Sequence, residues 1–419
     1  MSTDSTARAR LVADLVQEGR VRSPRVRAAL EEVPRHLFLP ELDPVTAYAD
    51  EAVPIKSDGG VTVSSVSQPS MVAIMLEQLD VAAGHHVLEI GAGAGWNAGL
   101  LAHLVGPDGA VTTVDIDADL VAGARANLDA AGLDGVVTVT ADGAVGHPPS
   151  APYDRIELTV GSTGIRPEWV AQLAPGGRLL LPLTVRGSQL SIAFTRTEAG
   201  RLTSTSVRSC AFVRLRGAGA APGAEEAVLP GGGWTVQAAV PQVDPATLRS
   251  LERAVREPGT DRPSPAPGSV SDLWDGLGLW CALADPAVVR LFGPAGPGPA
   301  AALFPVAGAR AGLGLTGDDG CAVLLAEPAA TIRAFGPGGD AAADRFAALV
   351  DGWLAAGSPH AADLRIDAVV PGVAGDAARG SAGNTGAGPA GDGAIIDSAG
   401  TRLTVSWASG GTAPSRDTA

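Results

Sequence analysis

The segment Val87-Leu88-Glu89-Ile90-Gly91-Ala92-Gly93-Ala94-Gly95-Trp96-Asn97 constrains this chain more than any other. An apolar run that breaks into glycines and then resumes reads as a buried strand, a tight loop and the start of a helix. Twenty residues past Gly95, Asp115 closes a second apolar run, Ala110-Val111-Thr112-Thr113-Val114. Strand, glycine loop, helix, strand and terminal acid make a nucleotide-binding βαβ unit. Gly91, Gly93 and Gly95 let the backbone approach a ligand, and Asp115, with Ile116 beside it, can meet a ribose. The spacing is G-x-G-x-G, not the G-x-G-x-x-G of dinucleotide binders. A ligand without a pyrophosphate is favoured, and S-adenosylmethionine is the first candidate.

Strands and helices alternate from this point. The pattern predicts strands at 87–90, 111–114, 136–140, 155–160 and 178–182, with helices at 96–105, 118–131 and 167–173. Such alternation implies an α/β fold with a doubly wound, mostly parallel sheet. Late strands at 190–195 and 206–215 are expected to run antiparallel. Upstream, helices are predicted at 11–19 and 23–33, the second opened by Ser23-Pro24. The proline-punctuated stretch 34–66 reads as irregular, and 68–79 as a helix. The first domain is thus placed at 1–216 and a Gly/Ala/Pro-rich linker at 217–233. A smaller α+β accessory domain follows at 234–410, with 372–393 a low-complexity, disordered excursion. Residues 395–396 and 401–407 read as a hairpin before a tail at 411–419. Trp274, Trp280 and Trp353 lie among aliphatics and read as core rather than as a peptide-binding surface.

Composition removes several functions. At 419 residues the chain has room for two domains. A formal charge of −15 argues against nucleic acid as the main partner, because phosphate binding needs a basic surface. No apolar run reaches the ~18 residues of a membrane span, and the N-terminus lacks an apolar signal core. Cys210, Cys281 and Cys321 lie far apart and read as reduced thiols of a cytoplasmic protein. HExxH, a Cys/His ligand cluster and a nucleophile elbow are all missing, so no metal site is expected.

Six further motifs occur in order: Glu32-Val33-Pro34-Arg35-His36-Leu37-Phe38-Leu39-Pro40, Ala47-Tyr48-Ala49-Asp50, Ser67-Gln68-Pro69-Ser70-Met71-Val72-Ala73, Ala141-Asp142-Gly143, Leu173-Ala174-Pro175-Gly176-Gly177-Arg178-Leu179 and Ala211-Phe212-Val213-Arg214-Leu215. Together with the glycine loop they resemble the protein-L-isoaspartate O-methyltransferase family, up to about Gly217. The resemblance implies a class I methyltransferase-like fold and a carboxyl O-methyltransferase using S-adenosylmethionine. It departs from the family in Ser64-Ser65 ahead of Ser67, in Ala94 and Trp96 within the loop, and in the long C-terminal half. That extension is similar to the branch associated with ribosomally made peptides, such as lanthipeptides, lasso peptides and graspetides. There an aspartate of a cyclised precursor is methylated and proceeds to aspartimide or isoaspartate.

The residues suit that chemistry. A carboxylate in water titrates near pH ~4 and is ionised at neutral pH, so attack on a sulfonium methyl needs alignment and exclusion of water, not a strong base. Asp115 is the ribose ligand or a helix cap. Asp142, with Gly143, is the family's adenine contact or an ordinary turn residue. Glu89, an acid in a buried strand, meets the methionine amino group or hydrogen-bonds the loop. Ser67 orients the substrate carboxylate or caps the following helix. Ser64 and Ser65 widen the polar pocket or belong to the loop. The leading reading is modification of a dedicated precursor peptide, and the runner-up is general repair of isoaspartyl proteins. A binding protein without turnover and a small-molecule methyltransferase are weaker rivals.

Overall fold

The computed structural model describes residues 3–220, 226–228, 235–238, 245–256, 259–295, 302–306, 308–326, 329–373 and 394–408. The expected disorder within 372–393, the tail and most of the linker lie outside the described residues.

The chain opens with α1 (Thr3–Gln17), α2 (Pro24–Glu32) and α3 (Pro44–Ala47). Ser23 caps α2 by accepting the Val26 amide at 3.2 Å. The stretch expected to be irregular holds an antiparallel hairpin, β1 (Val53–Asp58) and β2 (Val61–Val66). Its turn is Gly59-Gly60, at φ 55° and 82°, the left-handed pair a two-residue hairpin turn requires. Then come α4 (Pro69–Leu79), β3 (His86–Ile90), α5 (Trp96–Val105), β4 (Ala110–Asp115), α6 (Ala118–Ala130), β5 (Val137–Thr140), β6 (Tyr153–Leu158), α7 (Pro167–Gln172), β7 (Leu173–Val185), β8 (Ser188–Glu198) and β9 (Arg201–Ser209). β5-β4-β3-β6-β7 run parallel, and β8 and β9 continue antiparallel. The expected doubly wound α/β sheet is present. Segment 211–215 is not a closing strand. It makes a single parallel bridge, Arg214 to Gly161.

A second, antiparallel sheet follows. It contains β10 (Glu226–Val228), β11 (Thr235–Ala238), β12 (Thr260–Pro263), β13 (Val288–Pro294), β14 (Phe304–Val306), β15 (Ala309–Thr316), β16 (Cys321–Leu325) and β17 (Thr331–Phe335). Its helices are α8 (Pro245–Arg256), α9 (Leu279–Ala284), entered through a π-helical stretch Asp272–Gly278, and α10 (Gly339–Ala355). Trp280 and Trp353 are buried between α9, α10 and the sheet, as expected of core residues, while Trp274 is partly buried beside them.

The boundary expected at 234–410 needs correction. β18 (Leu364–Val369), β19 (Ala394–Ser398) and β20 (Thr401–Trp407) leave the second sheet and extend the first, which has the order β19-β20-β18-β9-β8-β7-β6-β3-β4-β5. β18 pairs with β9 at Asp367↔Thr203, Ala368↔Leu202 and Val369↔Arg201. Without it the β9 edge would present unpaired amides and carbonyls. Leu364, Ile366, Leu403 and Val405 join Leu181, Phe194 and Leu202 in one core. The β19–β20 hairpin is as expected, turning at Ala399-Gly400. Thr401 Oγ1 accepts the Ile165 amide at 2.7 Å and donates to the Ile165 carbonyl at 3.0 Å. The start of β20 is thereby tied to the loop before α7. Among the described residues no helix is long and apolar enough to cross a membrane.

Candidate active site

β3 has parallel neighbours on both sides, and the connections to β4 and β6 leave in opposite directions. A crevice therefore opens beyond the carboxyl ends of these strands, and the glycine loop fills its floor. Gly91 (φ 110°) donates its amide to Val114 O at 2.8 Å. A Cβ on Gly91 would collide with Thr159 Oγ1, so only glycine lets β3 and β6 end this close together. Gly95 (φ 91°) turns the chain into α5 against Ala124.

Asp115 ends β4 with its carboxylate buried. It accepts the Gly93 amide at 3.1 Å and the Asp117 amide at 3.2 Å. Burial, ahead of these two donors, holds its carboxyl above the usual range. It is not the cap of α6, because Asp117 holds that position. Instead it lines a pocket with Ile116, Gly143, Gly91, Gly93, Ser64 and Ser65.

A second pocket continues from Ser65, Gly91, Gly93 and Thr159 toward Glu89, Asn97, Glu157 and Ser67. Here two acids meet. Glu89 and Glu157 are register partners on β3 and β6, and both are fully buried. Asn97 Nδ2 donates to Glu89 Oε1 at 2.8 Å and to Glu157 Oε2 at 2.9 Å, while Thr113 Oγ1 donates to Glu89 Oε2 at 2.5 Å. Both Glu89 oxygens are thus engaged within the protein, and Glu157 Oε1 has no partner. Burial pushes Glu89 up to about 8 and Glu157 up to about 7. Sequence reasoning missed Glu157 and Asn97. The signal was an acid inside the apolar run that became β6, at the register position of Glu89.

Ser67 is not a cap. The cap position of α4 is Gln68, whose side chain makes no capping bond. Asp50 does that work from a distance, accepting the Ser70 amide at 2.8 Å and Gln68 Nε2 at 3.0 Å. Arg35 fixes the approach, donating to Ala47 O, Ala49 O, Glu51 O and Ser67 O at 2.8–3.1 Å. Its guanidinium also lies 5.0 Å over the Trp96 ring. The Ser67 hydroxyl makes no hydrogen bond to any described residue and lines the second pocket.

Asp142, expected at the adenine or in an ordinary turn, holds a turn. Its carboxylate accepts the Ala144 amide at 2.9 Å and the Ala218 amide at 2.7 Å. Each oxygen thus takes one protein donor, as each oxygen of Asp115 does, and Gly143 next to it lines the pocket. His36 packs structurally, with Nδ1 3.0 Å from Tyr48 Oη.

The β1–β2 hairpin roofs the crevice. Lys56, the sole lysine of the chain, reaches Asp117 at 3.1 Å and Asp119 at 2.7 Å. Arg216 adds a pair to Asp117 at 2.6 Å. The spaces beneath measure about 50 Å³ beside Asp115 and about 30 Å³ beside Glu157. They are small beside a nucleoside but open to solvent, and the position of the hairpin governs entry of a ligand.

The donor set nevertheless fits S-adenosylmethionine. It offers a glycine cradle, a buried acid with acceptor capacity left over, and an unpartnered carboxyl oxygen where an ammonium could lie. Crevice, cradle and acid define a class I methyltransferase dependent on S-adenosylmethionine. Residues 6–219 match the family described as protein-L-isoaspartate(D-aspartate) O-methyltransferase. The chain is 44% identical over 212 residues to the protein-L-isoaspartate O-methyltransferase of Methanopyrus kandleri, covering 50% of this chain and 92% of that protein. It is 38% identical over 211 residues to that of Methanothermobacter thermautotrophicus, covering 50% and 95%. A solved protein-L-isoaspartate O-methyltransferase aligns with a TM-score of 0.49 at 23% identity, covering 86% of this chain and 96% of that chain. The chain belongs to the protein-L-isoaspartate O-methyltransferase family and is a carboxyl methyltransferase.

Proposed function

We propose that this enzyme methylates an Asp or isoAsp carboxylate of a dedicated, ribosomally made and cyclised precursor peptide in the cytoplasm. The observation that carries this reading is the added half. The two curated relatives match over at least 92% of their length with half of this chain. The remainder here extends the methyltransferase sheet and, through β13, walls a cleft beside the pocket.

In this reading Asp115 accepts the ribose hydroxyls, and Gly91, Gly93, Gly95, Ile116 and Gly143 surround the adenosine. Glu89, Asn97 and Glu157 lie at the amino-acid end. Bound S-adenosylmethionine supplies a methyl group on a sulfonium sulfur. Ser67, with Ser65 and Ser64 beside it, orients the substrate carboxylate by hydrogen bonding without taking its charge. A carboxylate oxygen bonds to the methyl carbon as the carbon–sulfur bond breaks, and its electron pair passes to sulfur. The ester carbonyl can then be attacked by the next backbone nitrogen, closing a succinimide with loss of methanol.

Mass spectrometry on a cyclised precursor should show gain of one methyl group, then loss of methanol. The linear precursor should react poorly, because ring constraint lowers the entropy lost on binding. The names of the relatives favour a second reading, general repair of isoaspartyl proteins. Efficient turnover of arbitrary linear isoAsp peptides would decide for repair.

A further inference from the structure

Between the two sheets lies a cavity of about 310 Å³, walled by Gln189 of the first sheet, by Phe212 and Arg214 of the segment after β9, and by Gln237 and Arg290 of the second sheet. It continues into a space of about 200 Å³ lined by Trp274, Asp275 and Phe292. The larger part alone reaches the size of ordinary ligand sites, about 300–1,000 Å³. It adjoins the crevice on both sides. Phe212 also lines the pocket of Glu157 and Ser67, and Arg214 also lines that of Asp115.

Arg290 dominates this cleft. It stands on β13, opposite Gln237 of β11. One guanidinium nitrogen donates to Gly187 O at 3.3 Å and another to Ser188 Oγ. The group lies 5.3 Å over the Trp274 ring, itself stacked on Phe292. Its Nε has no partner. No carboxylate of the described residues comes within ion-pair distance. Asp275 is the nearby acid, yet burial outweighs it and lowers the guanidinium to about 10. A partly buried cation that faces the cavity, held by neutral acceptors and a ring and without a carboxylate of the described residues at ion-pair distance, is open to an anionic partner. A clamp between sheets would need neither the cavity nor a permanent charge.

Resting on the peptide reading above, we propose that this cleft is the peptide site. Arg290, supplied by the added half, receives a second carboxylate of the substrate, distinct from the one methylated. That carboxylate is either an acidic side chain flanking the reacting residue or a free chain terminus. Arginine suits it because its planar fork matches a carboxylate.

The test uses the full chain, wild type and the variants Arg290→Gln and Arg290→Lys. The probes are linear and thioether-cyclised octapeptides with one isoaspartyl residue. Flanking positions carry Glu or Gln, and the C-terminus is free or amidated. Binding is read by fluorescence anisotropy with S-adenosylhomocysteine present, and turnover by mass spectrometry. Wild type should bind one carboxylate-bearing set about tenfold tighter than its neutral counterpart, the scale of a hydrogen bond to a charge. The side-chain and terminus arms identify the source. Arg290→Gln should erase the preference through KM, with kcat and cofactor affinity retained, and Arg290→Lys should restore part of it. The preference in wild type is measurable even if a variant folds poorly. Absence of binding, equal binding of all peptides, or loss of neutral and acidic peptides alike with a lowered melting temperature would overturn the proposal. An Arg290-dependent preference without methyl transfer would leave the cleft standing and sink the peptide-methylation reading instead.

Discussion

Replacing Glu157 by Gln should make the protein more stable in mildly alkaline solution and change little near pH 5. Glu89 and Glu157 are both fully buried and share one donor group, Asn97 Nδ2. Burial is the largest influence on each, raising Glu89 from 4.5 to about 8 and Glu157 from 4.5 to about 7. The fold thus favours the protonated acids. Their contribution is fully present below pH 4.5 and is lost as pH rises, through about 7 for Glu157 and about 8 for Glu89. A rise from 4.5 to about 7 corresponds to roughly 3 kcal/mol at 1.36 kcal/mol per unit. Gln keeps the shape and an acceptor for Asn97 but cannot ionise. Calorimetric unfolding at pH 5.5, 7 and 8.5 should therefore show the wild type losing stability faster, with the variant melting higher at pH 8.5. Superimposable pH profiles would refute the argument, because they would mean that ionisation of Glu157 costs the fold nothing.

Asp115→Ala removes the acceptor assigned to two ribose hydroxyls. It should weaken S-adenosylhomocysteine binding by about 1.5–3 kcal/mol in calorimetry, and unchanged affinity would remove Asp115 from the site. Ser67→Ala should slow single-turnover methyl transfer while leaving cofactor affinity intact; a wild-type rate would end its orienting role. Lys56→Met frees the β1–β2 roof from Asp117 and Asp119 and should speed cofactor release in stopped-flow displacement. An unchanged rate would show that the roof opens elsewhere. A chain ending at Gly217 exposes the β9 edge and the core face covered by Ile366, Leu403 and Val405, so it should aggregate or melt well below the full chain. A soluble, fully active product would contradict the fused sheet and strengthen the repair reading.

What the sequence alone determined is local. The β3–loop–α5–β4 unit was legible because an apolar run, three glycines and a terminal acid act within thirty residues of one another. The hairpin read from 395–396 and 401–407 followed from equally short-range patterning. The hydrogen-bonding surroundings of Asp142 and Ser67 were not legible, because each depends on a distant group. Ala218 returns to occupy Asp142, and Asp50 caps α4 so that Ser67 is left free. Register decided the acid pair, since Glu157 matters only where β6 lies beside β3 opposite Glu89. Edge choice decided the domain boundary. The alternating apolar residues of β18 suit any half-buried sheet, and only the folded chain shows that β9 receives them. Arg290 in sequence is one more arginine; only the approach of two sheets sets it in a cleft, over a ring and with no carboxylate of the described residues at ion-pair distance. Backbone conformation follows from near neighbours, whereas pairing, burial and unmet charge depend on which distant surfaces the chain brings together.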